Sequence, residues 1–269
     1  MQATDFIREE RLPFVWCPGC GNGTVLRATL TAIANLNLTQ NDVIFASGIG
    51  CSSRTPMYTK FDNIHSLHGR AIPLATGIKL MQPDKKVIVM TGDGDALAIG
   101  GNHLIHAARR NVDLTVVIFN NSIYGMTGGQ VSPLTPQGKR GTTAPFGNVE
   151  DAFDVVELVK GAGATYVART GTYFFTQTVK YIKNGIMHNG FSVIEVITQC
   201  PVYYGRLNKV ASPGEMLIWQ KENLISIEKA KDLSKDEMSG KVIIGEFVNI
   251  EKESYFDKRK KLLERLNKK

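Results

Sequence analysis

Apolar and polar residues follow two recurring patterns along this chain. Short β-branched runs, nearly all apolar, are separated by longer amphipathic stretches. The runs predict strands at Val43–Ala46, Lys86–Thr91, Leu114–Asn120, Thr165–Ala168 and Phe191–Ile197. The longer stretches predict helices over Asn22–Ala34, Gly69–Met81, Gly101–Arg110, Ala152–Gly161 and Thr172–Asn184. Strands alternating with helices at this spacing build right-handed βαβ units, which gives an α/β fold: a mostly parallel sheet with helices on both faces. The runs VIVMTGDG and LTVVIFNN turn polar only at their ends. Runs of that kind suit central strands buried on both faces. Their polar residues then fall at the carboxyl ends of the strands, where open α/β sheets bind ligands.

The stretch from Ser122 to Phe153 breaks the pattern, being rich in Gly, Pro, Ser and Thr. A long irregular loop inside a compact domain is usually functional or disordered. Beyond Tyr204 the alternation fades, leaving one further strand over Val242–Phe247. The expected division is residues 1–205 as the ligand-binding domain and 206–269 as an extension packed on that domain or on a partner.

Composition narrows the class. The chain has 269 residues, 43% hydrophobic and 21% charged, ordinary values for a globular protein. No apolar run reaches the roughly 20 residues that span a bilayer. The first residues, MQATDFIREERLPF, have no apolar signal-peptide core, so a soluble cytoplasmic protein without a membrane partner is expected. The formal net charge is +7, much of it in KESYFDKRKKLLERLNKK from Lys252 to Lys269. Such a tail can dock an acidic partner such as ferredoxin, but charge runs are usually solvated faces, and that is the reading adopted. No nucleic-acid-binding signature accompanies it.

Two constellations carry chemistry. The first is Gly92-Asp93-Gly94-Asp95 at the end of one strand and Asn120-Asn121 at the end of the next. A βαβ unit brings two such strand ends side by side, so Asp93 and Asn121 can offer oxygens to one Mg²⁺, a hard ion usually shared with phosphates. Gly92 and Gly94 let backbone approach a diphosphate. The helix entered after Gly100-Gly101 is expected to aim its N-terminus at the same place. A dinucleotide-binding reading lacks its third glycine.

The second constellation is the cysteines: Cys17, Cys20, Cys51 and Cys200. Cys17-Pro-Gly-Cys20 and Cys51 stand among glycines, and Cys200 follows a predicted strand. Four thiolates suit a 4Fe–4S cluster or structural zinc. Zinc folds usually pair two CxxC motifs, whereas here one is joined by two distant single cysteines. A redox CxxC is a third reading.

GDG followed by NN resembles the thiamine diphosphate signature. Together with CPGCGNG, GIGCSSR, HSLHGRA, NNSIYGMTGGQ and TQCPVYYGR, from about Leu12 to Arg206, it is similar to the β subunits of 2-oxoacid:ferredoxin oxidoreductases. GIGCSSR and NNSIYGMTGGQVSPLTP look closest to the 2-oxoglutarate type. The resemblance implies a thiamine-diphosphate-binding fold and Mg²⁺ held by Asp93, Asn121 and the Ile123 carbonyl. It also implies a 4Fe–4S cluster on all four cysteines. The cofactor site would comprise Ile49, Gly50, Cys51 and Ser52, then His68 and Gly69, then Gly92, Asp93, Gly94 and Asp95, and finally Asn121, Tyr124, Gly125, Met126 and Thr127. The activity implied is coenzyme A-dependent oxidative decarboxylation of a 2-oxoacid, 2-oxoglutarate or else pyruvate, with electrons passed to ferredoxin.

Two residues are expected to touch the reacting groups: His68, at a helix start, toward the diphosphate or substrate carboxylate, and Arg54, bidentate on the 2-oxoacid carboxylate. His103 and His106 are read as structural. Thiamine enzymes need a glutamate on the aminopyrimidine, and no candidate is visible. An α subunit is expected to supply it, leaving this chain inactive alone. The rivals are one half of a non-redox thiamine enzyme and an iron–sulfur carrier without thiamine.

Overall fold

The computed structural model describes residues 1–210 and 212–268. The parallel strands are β1 (Val43–Ser47), β2 (Asp62–His65), β3 (Lys86–Gly92), β4 (Leu114–Asn120), β5 (Tyr166–Gly171) and β6 (Phe191–Ile197). Two more follow, β7 (Leu224–Ser226) and β8 (Val242–Asn249). They form one eight-stranded sheet in the order β2-β1-β3-β4-β6-β5-β8-β7. Strand β8 is antiparallel to β5 and parallel to β7, so the C-terminal extension continues the sheet that carries the strand-end motifs.

Helices α1 (Asn22–Asn35) and α5 (Phe175–Met187) cover one face. They close a core of Val25, Leu26 and Ile33 against Phe45, Met90 and Phe119. Helices α2 (Ala71–Met81), α3 (Gly101–Arg110) and α4 (Val155–Gly161) cover the other, where Ala75, Leu104 and Val156 meet Val89, Val116 and Val193. Coverage on both faces explains why β3, β4 and β6 are nearly all apolar: no side of them meets water. Helices α6 (Pro213–Asn223), α7 (Ile227–Ala230) and α8 (Tyr255–Leu266) complete the chain. Among the described residues no helix is long and apolar enough to cross a membrane. The basic tail forms α8, which has no buried residue.

Helices α2 and α4 begin later than expected, each for a local reason, and the approach to α3 differs as well. Helix α2 starts after Gly69, whose φ of +70° breaks the helical path. Helix α4 starts at Val155 because the Asp154 side chain caps it, accepting from Val156 N and Glu157 N. The chain after Gly94 enters a wide π turn, Asp95–Ile99, before α3, so the turn beginning at the strand end is this one and not α3 itself.

Candidate active site

The carboxyl ends of β1, β3 and β4 open onto a cleft of about 130 Å³. Its wall is formed by Ile49, Gly50, Cys51 and Ser52 after β1, by His68, by Gly92 to Asp95 after β3, and by Asn121 with Ile123 to Thr127 after β4. The expected cofactor residues thus line one cavity, with Gly69 just behind it. No glutamate is among the lining residues.

Asp93 is buried, 3% exposed. Its carboxylate accepts from Ser132 Oγ at 2.8 Å and from the Gly94 amide at 2.8 Å. Burial pushes its pKa up to about 7 against the pull of those hydrogen bonds. Among the described residues no cation stands within ion-pair distance of it. A buried carboxyl with free acceptor capacity and no counter-charge suits a divalent cation. On the facing loop, Asn121 Oδ1 accepts from Ile123 N at 3.2 Å, and Ser122 takes a left-handed φ of +58° to make that turn. A side chain at Gly94 would displace the Tyr124 ring: a Cβ there would lie 2.1 Å from Tyr124 Cε1.

Asp95 has a different task. Its carboxylate accepts from Gly69 N at 2.6 Å and Thr91 Oγ1 at 2.7 Å, and meets His68 Nδ1 at 2.7 Å. It ties the loops after β1, β2 and β3 together. With Nδ1 bonded to Asp95, the His68 ring is held with its other nitrogen free, edge-on to Tyr124 at a centroid distance of 6.1 Å. Strand β4 is anchored from behind. Asn120 Nδ2 donates to Glu195 Oε1 at 2.7 Å, and Arg169 Nε donates to Glu195 Oε2 at 2.6 Å. Ser132 and Glu195 lie far in sequence from the residues they hold; Ser132 falls within the NNSIYGMTGGQVSPLTP stretch, whereas no motif marks Glu195.

The four cysteines are free thiols beside the same cleft. Cys17-Pro18-Gly19-Cys20 is a tight turn closed by Cys20 N donating to Cys17 O at 3.0 Å, with Gly19 at φ +78° as a type II turn requires. Burial pushes the Cys20 thiol up to about 12, with the other three cysteines adding to it. Cys51 rises to about 11 by burial and by Cys200 and Cys17, against the pull of Arg54. The sulfurs therefore feel one another. Amides of Tyr203 and Tyr204 point at Cys200, and that of Asn22 at Cys20. Among the described residues no three His, Cys, Asp or Glu side chains stand close enough for a single metal ion. Gly125 joins the two constellations: a Cβ there would meet Cys51 Sγ at 3.5 Å and Cys200 Sγ at 3.7 Å.

Arg54 does not line the cleft. The 3₁₀ turn Ser52–Tyr58 puts residues two apart on different sides, so Ser52 faces the cleft and Arg54 faces a neighbouring cavity. His103 and His106 lie on α3 and line neither cavity.

The chain matches the family described as thiamine pyrophosphate enzyme, C-terminal TPP binding domain, over residues 43–196. It is 53% identical over 264 residues to the 2-oxoglutarate synthase subunit KorB of Methanocaldococcus jannaschii, covering 98% of each chain. To the subunit of the same name from Archaeoglobus fulgidus it is 45% identical over 258 residues, 96% of this chain and 93% of the other. Among solved structures it is similar to 2-oxoglutarate:ferredoxin oxidoreductase from Magnetococcus marinus with 2-oxoglutarate, coenzyme A and succinyl-CoA bound. That match has a TM-score of 0.89 at 33% identity and covers 99% of this chain and 91% of the other.

Proposed function

The chain belongs to the thiamine pyrophosphate enzymes and, within them, to the β subunits of 2-oxoacid:ferredoxin oxidoreductases, and from that premise we propose that it works with an α subunit to convert 2-oxoglutarate and coenzyme A to succinyl-CoA and CO₂, with ferredoxin as electron acceptor. One observation carries the reading. The loop that would hold the thiamine cofactor and the thiols that would hold a one-electron acceptor meet at Gly125. When bound, thiamine diphosphate would supply a carbon nucleophile and an electron sink, and a 4Fe–4S cluster would supply a one-electron acceptor.

The residues of this chain have separable tasks. Asp93, Asn121 and the Ile123 carbonyl would hold Mg²⁺ and through it the diphosphate. Gly92 and Gly94 keep side chains out of the diphosphate's way. Asp95 orients His68, which faces the cleft and would hydrogen-bond the diphosphate or the substrate carboxylate. Tyr124, Met126 and Thr127 wall the thiazolium side, and half-buried Tyr124 keeps its proton, raised by burial and by Asp93 and Asp95. Cys17, Cys20, Cys51 and Cys200 would ligate the cluster. An α subunit would supply the activating glutamate; no glutamate is among the residues lining the cleft. Four free thiols accord with a cytoplasmic location.

The test is ferredoxin reduction by the anaerobically purified αβ complex with coenzyme A and either 2-oxoglutarate or pyruvate. The expected result is turnover with 2-oxoglutarate at a kcat/KM well above that with pyruvate, and none by this chain alone. Turnover by the isolated chain, or release of an aldehyde without ferredoxin reduction, would overturn the proposal.

A further inference from the structure

The long loop after Asn121 contains a turn that the tasks above leave unused. Ser132-Pro133-Leu134-Thr135 is closed by Thr135 N donating to Ser132 O at 3.0 Å, with Pro133 at the position whose fixed φ suits a β-turn. Three contacts fix the turn in place. Leu134 is buried in the core on the α2–α4 side of the sheet. Phe153 N donates to Pro133 O at 3.0 Å, and Asn148 Nδ2 donates to Thr135 O at 2.8 Å. Ser132 and Thr135 are both buried.

A hydroxyl has one proton to give. Ser132 Oγ donates its proton to Asp93 Oδ2 at 2.8 Å and accepts from Leu134 N at 3.3 Å. Thr135 Oγ1 donates its proton to Ser122 O at 2.6 Å and accepts from Ser132 N at 2.8 Å. Ser122 stands between Asn121 and Ile123, which both line the cleft. Its other side is held by Asn120 Oδ1, which accepts from the Ser122 amide and hydroxyl at 3.2 Å each. One four-residue turn therefore grips the Asp93 loop with one hydroxyl and the Asn121–Ile123 loop with the other. Bonds between oxygens keep to about 2.5–3.0 Å. The spacing of the two loops is thus set by the turn before any ion arrives.

Fixed spacing discriminates between ions by size. Mg²⁺ takes oxygens at about 2.0–2.1 Å in a near-ideal octahedron, whereas Ca²⁺ takes them at about 2.3–2.6 Å in a flexible shell. Loops that can drift accommodate the adaptable ion and lose the exacting one. We propose that Ser132 and Thr135 are positioning residues that fix Asp93 against Asn121 and Ile123, and so make the cleft select Mg²⁺ over larger divalent cations. That role rests on the reading of these three residues as ligands of the ion that carries the diphosphate. It assigns the choice of ion to two hydroxyls standing behind the ligands.

The test measures thiamine diphosphate binding to the intact complex by calorimetry, with Mg²⁺ or Ca²⁺ as the sole divalent cation. Wild type is compared with Thr135→Val, which keeps the shape and loses the hydroxyl, with Thr135→Ser, which keeps the hydroxyl, and with Ser132→Ala. Wild type should bind more tightly with Mg²⁺. Thr135→Val and Ser132→Ala should weaken Mg²⁺-supported binding about 10- to 100-fold and Ca²⁺-supported binding by less than about 3-fold, so that the preference narrows. Thr135→Ser should restore the wild-type preference, and iron content should match wild type throughout. If Thr135→Val fails to assemble, Ser132→Ala, which leaves the backbone closure of the turn intact, decides by the same comparison. Equal losses with the two cations would overturn the inference, leaving the hydroxyls as supports of the fold alone. So would a Thr135→Ser complex as unselective as Thr135→Val. A wild-type complex that binds thiamine diphosphate equally well without any divalent cation would overturn the reading of Asp93, Asn121 and Ile123 as ligands, and the selectivity with it.

Discussion

Asp93→Asn should strengthen the empty protein and disable the loaded one. Burial without a counter-ion raises this carboxyl from 3.8 to about 7. A raised acid binds its proton more tightly in the folded state, so its contribution to stability falls as pH rises through that window and is flat above it. The full shift is worth on the order of 4 kcal/mol. Asparagine does not titrate and can keep both local contacts: its oxygen accepts from Gly94 N, and its amide donates to Ser132 Oγ. Urea unfolding of the cofactor-free subunit at pH 5 and pH 8.5 measures the effect. The advantage of the variant over wild type should grow by about 2–3 kcal/mol between the two conditions. Adding thiamine diphosphate and Mg²⁺ should reverse the order, because only wild type gains binding energy. An advantage that does not change with pH would refute the argument that Asp93 is a strained, unpaired acid awaiting a cation.

Other consequences follow from neighbouring residues. Asp95→Asn removes the charge that holds His68, and should weaken thiamine diphosphate binding by about 1.5–3 kcal/mol. It should also change the His68 tautomer read from nitrogen chemical shifts; unchanged shifts would contradict the orienting role. Glu195→Ala strips the Arg169 pair and frees Asn120, and should cost about 3 kcal/mol in chemical denaturation, the low end for a broken buried pair because Asp154 remains at 2.5 Å. Gly94→Ala drives a Cβ into the Tyr124 ring, and should abolish cofactor binding while iron content is retained. Loss of both together would mean that the two constellations are not separable.

The sequence made most of the architecture legible because central strands and amphipathic helices announce themselves by period. β4 and β6 have the predicted bounds. β2 was invisible: Asp62-Asn63-Ile64-His65 is a four-residue edge strand with exposed positions, which no apolar run marks. β7 is shorter still and lies between two helices. The residues that line the cleft were legible because short motifs put them at strand ends. Their supports were not. Ser132 and Glu195 act across 39 and 75 residues of sequence through ordinary hydrogen bonds. Arg54 lines the neighbouring cavity, a placement the sequence could not give, because spacing from Cys51 does not tell which side of a 3₁₀ turn a side chain takes.

The account stands most directly on the composition of the anaerobically purified complex. Iron, acid-labile sulfide and thiamine diphosphate should be determined for wild type and for a variant with Cys17 and Cys20 both replaced by alanine. The account predicts that the variant loses four iron and four sulfide per αβ unit, as one 4Fe–4S cluster requires, and keeps its thiamine diphosphate. Zinc in place of that iron, or iron and sulfide unchanged by the substitutions, would contradict it.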